Sequence, residues 1–158
     1  MPESKKELIL AKIENLMLNI KKTNLIYDDV YYQNDVGYVD RHFINITQND
    51  IEKNGVNWII INQSGEKWKP LVGGAFENKI EVQIIGFTQV LKPEDNLSTL
   101  INSLQKDVML AMIKDVELDR LCDYLIPVST RIVDNMIYPY GGFVTYFDVV
   151  YTTQGLEI

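Results

Sequence analysis

The chain has 158 residues, which predicts one domain whose core is large enough to need no disulfide or metal for stability. Its formal net charge of −7 argues against a protein that grips nucleic acid through phosphates. A single cysteine, Cys122, excludes an internal disulfide and a cysteine zinc cluster. No apolar run approaches the ~20 residues of a membrane span, and the N-terminal residues lack the apolar core of a signal peptide. We therefore expect a protein that is made in the cytoplasm and works there, or is assembled there into something larger.

The first predicted helix runs from Ser4 to Lys22. Ser4 and Glu7 fit a capping box, in which the serine side chain accepts a hydrogen bond from the backbone of the glutamate. Apolar residues then recur at helical spacing, namely Ile9, Ile13, Leu16, Met17 and Ile20. Lys21 and Lys22 close the pattern, where positive charge suits the C-terminal end of the helix dipole.

Three segments follow this helix before the middle of the chain. Residues 25–47 are rich in Tyr, Val, Phe and Ile and predict two strands or one long bent strand. Residues 57–63 predict a short buried strand. Residues 64–78 contain glycines and a proline and predict a loop of about fifteen residues, a length that is often functional in a compact domain.

The stretch "NKIEVQIIGFTQV", residues 78–90, predicts a central strand with two different faces. One face is apolar from its start, with Ile80, Val82 and Ile84. The other face begins with Glu81 and Gln83 and then becomes apolar, with Ile85, Phe87 and Leu91. The final strand, over residues 143–153, is also apolar on both sides.

A second helix is predicted over residues 92–115, with Pro93, Glu94 and Asp95 at its start. Residues 116–125 predict a short helix or a loop, and a strand and a turn precede the final strand. Short connections favour an α+β fold, with a mixed, mostly antiparallel β-sheet and two main α-helices packed on one face. The helices can cover only that face, so we expect neighbouring subunits to cover the apolar part of the other.

Two residues could support catalysis. His42 is the only histidine, and Asp40 lies two residues before it on the same face of a predicted strand. An Asp–His pair would be a candidate base, but a surface or interface histidine is the favoured interpretation. Cys122 lies between Asp119 and Asp123, whose charges oppose thiolate formation, so a buried and inert cysteine is expected.

The acidic residues Asp115, Glu117 and Asp119 stand at alternating positions, as oxygen ligands do in calcium loops. The mid-loop glycine and terminal glutamate of such a loop are missing, so a solvated acidic turn is favoured. Gly73 and Gly74 are not followed by the Gly-Lys-Ser/Thr ending of a phosphate loop. The sequence therefore predicts no catalytic, metal or cofactor site.

Four stretches of the chain follow one another in an order that is typical of a known family. They are the N-terminal amphipathic helix, "GAFENKIEVQIIGFTQV", "NLSTLINSLQKDVMLAMIKD" and "GGFVTYFDVVYTTQ". A strand ending in Gly-Phe, an acidic linker, a helix and a closing strand succeed one another over residues 75–153. This arrangement resembles the tail terminator, or tail completion, proteins of long-tailed bacteriophages.

The resemblance implies a mixed sheet flanked by helices and assembled as a hexameric ring in the tail or neck of a virion. Such proteins cap the last ring of the tail tube, stop its polymerisation and help to join the tail to the head. The implied partners are other copies of the chain, the tail tube protein and a neck or head-completion protein. DNA passes through the ring without specific binding, and neither enzymatic activity nor a cofactor is implied. Two alternatives stay open: another neck component, such as a head-completion adaptor, or a small α+β enzyme that uses His42.

The resemblance also directs attention to residues that could meet neighbouring subunits. The expected contacts are Trp68, Leu71 and Phe76 in the loop 64–76, Tyr138, Tyr140 and Phe143 around the last hairpin, and Phe87 and Tyr146 on the second sheet face. Asp115, Glu117 and Asp119 are candidates for an acidic lumen that repels the phosphates of passing DNA.

Overall fold

A computed structural model describes residues 4–41, 55–133 and 136–156. Within these ranges the chain forms two α-helices and seven strands. In chain order they are α1 (Lys5–Leu18), β1 (Leu25–Tyr27), β2 (Val30–Tyr31), β3 (Tyr38–Asp40), β4 (Trp58–Pro70), β5 (Ala75–Gln89), α2 (Leu97–Ile113), β6 (Tyr124–Ile132) and β7 (Tyr140–Gln154). His42 lies outside the described residues.

The main sheet has five strands in the order β3-β4-β5-β7-β6, and β1 and β2 form a separate hairpin. Every pairing in the main sheet is antiparallel except that of β3 with β4. The apolar faces of both helices join the same core as one face of this sheet. The predicted α+β class, with a mixed sheet and two helices on one face, is therefore confirmed.

Both helices begin at a side-chain cap. The Ser4 hydroxyl accepts a 3.2 Å hydrogen bond from the backbone N–H of Glu7, which confirms the predicted start of α1. At α2 the Asn96 side chain accepts from the N–H of Thr99 at 3.2 Å, so this helix begins after the predicted acidic start. Neither helix of the described residues is long and apolar enough to span a bilayer.

The core lies between the helix layer and the first face of the sheet. It contains the predicted side of β5, with Ile80, Val82 and Ile84 all fully buried. The sequence pattern identified this face correctly because residues two apart in a strand project to the same side.

The predicted loop over residues 64–78 is wrong, because most of these residues extend the strands on either side. β4 continues to Pro70 and β5 begins at Ala75, so the two form one long hairpin closed by the short 3-10 turn Val72–Gly74. Gly73 has a positive φ of 82°, which glycine adopts at little cost in such a turn. The glycines and proline that suggested a loop thus belong to one tight turn and to strand positions.

The end of this hairpin extends past the first turn of α1. Lys5 Nζ donates a 3.2 Å hydrogen bond to the backbone oxygen of Thr152, which pairs with Glu77 of β5. From the pair of Glu77 with Thr152, the hairpin continues to its turn at Val72–Gly74. We call residues 67–77 the arm.

The second face of the sheet is divided into an apolar half and a charged half. Ile60, Ile85 and Val144 are 1%, 6% and 5% exposed and form a small second cluster within the single chain. The expectation that neighbouring subunits must cover these side chains is therefore wrong. Toward the arm the same face carries charged residues, including the ion pair between Lys79 and Asp148 at 3.8 Å.

Candidate assembly surfaces

One group of the predicted contact residues lies at the tip of the arm. Trp68 and Leu71 are exposed, whereas Phe76 is partly buried. Val72, at the apex of the turn, is completely exposed and was not anticipated from the sequence. The arm therefore ends in an apolar tip.

The second group lies at the opposite end of the sheet. Tyr138 and Tyr140 are exposed there, together with Ile137 and Leu91. Tyr140 pairs with Gln89 of β5, which lies thirteen residues beyond Phe76 along the same strand. At about 3.3 Å per residue, the two apolar ends are roughly 43 Å apart.

Phe143 does not belong to either surface, and its prediction as a contact residue is wrong. Its side chain is fully buried on the helix-covered face of the sheet. It pairs across the sheet with Gly86, and the missing side chain of that glycine leaves the space that the aromatic ring occupies. The ring therefore contributes to the core of the single chain.

Phe87 and Tyr146 occupy the second face, as expected, but are already engaged within the chain. Both are partly buried against the small cluster that includes Ile85 and Val144. The Tyr146 hydroxyl also accepts a 3.2 Å hydrogen bond from Nε of Arg131. Only the outer parts of these two side chains are open to a neighbouring molecule.

The edge strand β6 is the surface that the sequence analysis missed. Within the described ranges it pairs with β7 alone, and four of its apolar side chains are exposed, namely Tyr124, Ile126, Val128 and Ile132. Pro127 and the bulge between Pro127 and Ser129 are typical of an edge strand. The proline was the one sequence signal that could have identified this edge.

Over the part of the chain that the structure describes, the other edge of the sheet has no pairing partner along most of β4. Among the described residues, β3 pairs only with positions 58–60, and residues 61–70 have β5 as their neighbour on one side. Both flanks of the sheet therefore present strand backbone that another chain could extend.

Residues 115–123 form the acidic turn, as the sequence predicted. The Asp115 carboxylate caps it, because it accepts from the backbone N–H of Glu117 at 3.2 Å and from that of Asp119 at 2.7 Å. Leu118, Asp119 and Arg120 all have positive φ. Glu117 and Asp119 are exposed, and their role in a lumen stays a prediction.

Cys122 is buried beneath the acidic turn, as expected. Burial, followed by the negative charges of Asp123, Asp115 and Glu117, raises the pKa of its thiol to about 12. The side chain therefore stays a neutral thiol, which is a poor nucleophile.

The remaining catalytic candidate, Asp40, is occupied by local hydrogen bonds. Its carboxylate accepts from the Tyr38 hydroxyl at 2.5 Å and from the backbone N–H of Arg41 at 2.6 Å. Within residues 4–41, 55–133 and 136–156, no three His, Cys, Asp or Glu side chains are grouped as metal ligands would be.

A scan against protein-family models finds none that matches this chain, and a search among curated proteins finds no significant relative. The resemblance to tail terminator proteins therefore rests on the sequence pattern, and the surfaces described above are the structural basis on which a function can be proposed.

Proposed function

We propose that this chain is the structural subunit of a ring of the tail terminator type, with six copies capping a tail tube and joining it to the neck of a phage virion. The observation that carries the proposal is the distribution of accessible surface on one stiff sheet. Among residues 4–41, 55–133 and 136–156, two edges without a pairing partner flank it, and an apolar tip lies at each of its ends.

The two edges suit contacts between neighbours around a ring. A cyclic ring of identical chains needs two unlike surfaces that face each other at every contact. β4 and β6 are unlike flanks of one sheet and run in opposite directions, because three antiparallel pairings separate them. Adding β6 of one copy to β4 of the next would therefore continue the antiparallel order.

The two ends suit contacts above and below the ring. A cap must bind the tube on one side and present a different surface to the neck on the other. The arm tip exposes Trp68 and Val72, and the opposite end of the sheet exposes Tyr138 and Ile137, so one end could bind the tube and the other the neck. Exposed apolar groups of this kind commonly mark protein contacts.

The proposal is tested first by the mass and shape of the purified protein. Light scattering coupled to size exclusion should give about 110 kDa for six copies of the 18.2-kDa chain, and negative-stain images should show rings. The ring should also bind the ends of isolated tail tubes. A chain that stays monomeric at every concentration and does not bind tube ends would contradict the proposal, whereas binding to portal complexes instead of tubes would favour a head-completion adaptor.

A further inference from the structure

We propose that two copies of this chain pair through their β6 edges as a two-fold symmetric dimer, in which Arg131 of each copy lies against Asp123 and Tyr124 of the other. We call this pair the β6 dimer. It is the form of the chain outside a ring, so the inference goes beyond the proposed function and does not depend on the binding of a tube.

The β6 strand is accessible along almost its whole length. Within the described ranges its only strand neighbour is β7, and each of its nine residues except Leu125 is exposed. Side chains on both faces and the backbone of one flank are therefore open to a further strand. Such an edge binds an added strand through main-chain hydrogen bonds, and the side chains on the two faces determine which strand fits.

The bulge in β6 restricts the strands that can fit. Ile126 lies on the second face of the sheet, where it pairs with Asp148, and Ser129 lies on the same face, where it pairs with Tyr146. In a regular strand, residues three apart would lie on opposite faces, so the extra residue Val128 breaks the alternation. A regular strand would therefore match the faces of β6 on only one side of the bulge.

A second copy of β6 matches on both sides, because the bulge lies near the middle of the strand. Two antiparallel copies with Pro127 of each opposite Val128 of the other bring the two bulges together at the two-fold axis. Residues that come opposite each other then share a face, in the pairs Tyr124 with Arg131, Leu125 with Thr130, and Ile126 with Ser129. The strand is thus complementary to itself in this register.

Charge is also complementary in this register. Arg131 is exposed and donates from Nε to the Tyr146 hydroxyl at 3.2 Å, and Asp123 is exposed and accepts from the Thr152 hydroxyl at 2.7 Å. Neither charge belongs to an ion pair that the described residues form within the chain. In the β6 dimer, Arg131 of one copy comes opposite Tyr124 of the other and next to Asp123. A guanidinium can stack on the ring and bond to the carboxylate, and symmetry makes this contact twice.

Apolar side chains meet at the centre of the β6 dimer. Val128 is 56% exposed and lines a groove of about 160 Å³ between α2 and β6, together with Met109 and Pro127. The two-fold axis brings Val128 of each copy beside Pro127 of the other. Ile126, which is 48% exposed, lies one position further along on each side. Their mutual cover removes apolar surface from water, which favours the pair.

The β6 dimer and the ring compete for the same edge. In the proposed ring, β6 of each copy lies against β4 of the next, so a chain whose β6 is covered by a second copy cannot enter the ring. The dimer therefore protects an apolar strand edge in chains that are not assembled. This consequence rests on the proposed function, whereas the dimer itself does not.

Charge exchange within one chain tests the dimer. Sedimentation velocity over a dilution series should show a species of about 36 kDa, twice the 18.2 kDa of the chain. Arg131→Glu sets like charges against each other at both ends, so the dissociation constant of the dimer should rise about tenfold or more. Asp123→Arg combined with Arg131→Glu restores opposite charges at both ends and should return the constant to within about threefold of wild type.

A matched control changes a charge elsewhere. Lys92→Glu alters an exposed lysine in the connection between β5 and α2, away from β6, and should leave the dissociation constant unchanged. Circular dichroism establishes that each variant is folded.

A second measurement covers a charge variant that misfolds. In Val128→Cys the two introduced thiols lie beside each other at the two-fold axis, so a mild oxidant should link the chains in pairs. Val72→Cys, at the fully exposed apex of the arm, is the control and should stay unlinked. The native Cys122 is buried in both variants. Equal linking of the two variants would overturn the proposed axis.

The failure of the dimer and the failure of the ring are distinguishable. A free chain that stays monomeric at every concentration, or a folded charge exchange that is as weak as Arg131→Glu alone, would overturn the dimer. Rings that nevertheless cap tube ends would then leave the proposed function standing. A dimer that behaves as expected in a protein that never binds tube ends would support this inference and contradict the proposed function.

Discussion

The backbone N–H of Asn34 donates a 2.8 Å hydrogen bond to Oδ2 of Asp107, a carboxylate of α2 that is only 1% exposed. The Asn34 side chain donates to the same oxygen at 2.9 Å, and the backbone N–H of Gln33 does so at 3.0 Å. The buried carboxylate thus holds the segment after β2 against α2. Several hydrogen-bond donors, and not a cation, offset the energetic cost of burying this carboxylate.

We predict that Asp107→Ala lowers the free energy of unfolding by about 3 kcal/mol, because the substitution removes the acceptor and leaves buried N–H groups without a partner. Urea unfolding measures the change. Ser103→Ala is a control in the same network, since Ser103 accepts from Asn34 Nδ2 at 3.0 Å but is neither charged nor fully buried. It should cost about 1 kcal/mol. A loss below that value for Asp107→Ala would show that solvent replaces the carboxylate.

A second prediction concerns the contact between Gly86 and Phe143. A methyl group at position 86 would lie 2.5 Å from Cζ of the Phe143 ring, so Gly86→Ala should displace the ring and cost about 2 kcal/mol. Phe143→Leu alone should cost about 1 kcal/mol, because it leaves a gap in the core.

The double variant distinguishes this contact from a general weakness of β5. If the ring and the added methyl group compete for one space, the double variant should lose clearly less stability than the sum of the losses in the two single variants. Urea unfolding measures all three. Strict additivity would mean that Phe143 does not occupy the space above Gly86.

Much of this fold could be predicted because local patterns and the final packing agree. Ser4 caps α1 through a local contact, and the alternation of Ile80, Val82 and Ile84 defines the core face of β5. Both features depend on residues within a few positions of each other. Such signals are read from the sequence without any knowledge of the partner elements.

The arm could not be predicted because long-range pairing decides its structure. Lys69 and Glu77 are paired across the hairpin, although the glycines and the proline around them are typical of a loop. The order of the strands is also absent from the sequence. For this reason Ile126 could not be recognised as exposed on an edge, and Phe143 could not be distinguished from the exposed Tyr140 at the start of the same strand.

A third prediction concerns stability in acid. Two hydrogen bonds from the Arg41 guanidinium, at 2.8 and 3.0 Å, hold the pKa of the Glu7 carboxyl below its ordinary value of 4.5. A carboxyl whose pKa is lowered in the folded state contributes stability above its ordinary pKa, and that contribution disappears as the pH falls through the lowered value. Both side chains are substantially exposed, which limits the contribution to about 0.5 kcal/mol.

Glu7→Gln should therefore lower the free energy of unfolding by about 0.5 kcal/mol near neutral pH, and the difference from wild type should vanish near pH 2. Urea titrations at the two pH values measure it. Lys12→Gln, on the same helix, is the control and should show no such convergence. A difference between Glu7→Gln and wild type that persists in strong acid would mean that the ion pair is not its source.

A fourth prediction concerns the thiol of Cys122. Because its pKa is raised to about 12 in the folded protein, the neutral form contributes stability below the ordinary pKa of 9.0, and this contribution is lost as the pH rises toward 12. At about pH 8, a thiol reagent should label the native chain roughly 100-fold more slowly than the chain unfolded in urea. The chain has one cysteine, so every label reports this site. Fast labelling of the native protein would contradict its burial.

The last prediction separates the arm tip from the sheet edges. Val72 is fully exposed at the apex of the arm, so Val72→Asp should change the free energy of unfolding by less than about 0.5 kcal/mol. If the arm tip is the end of the ring that binds the tube, the variant ring should form with wild-type mass yet lose its binding to tail tube ends. The control is Ile137→Asp at the opposite end of the sheet, which is also exposed and should keep binding to the tube. Co-sedimentation with isolated tubes measures both variants, and equal binding by the two would show that the arm tip does not face the tube.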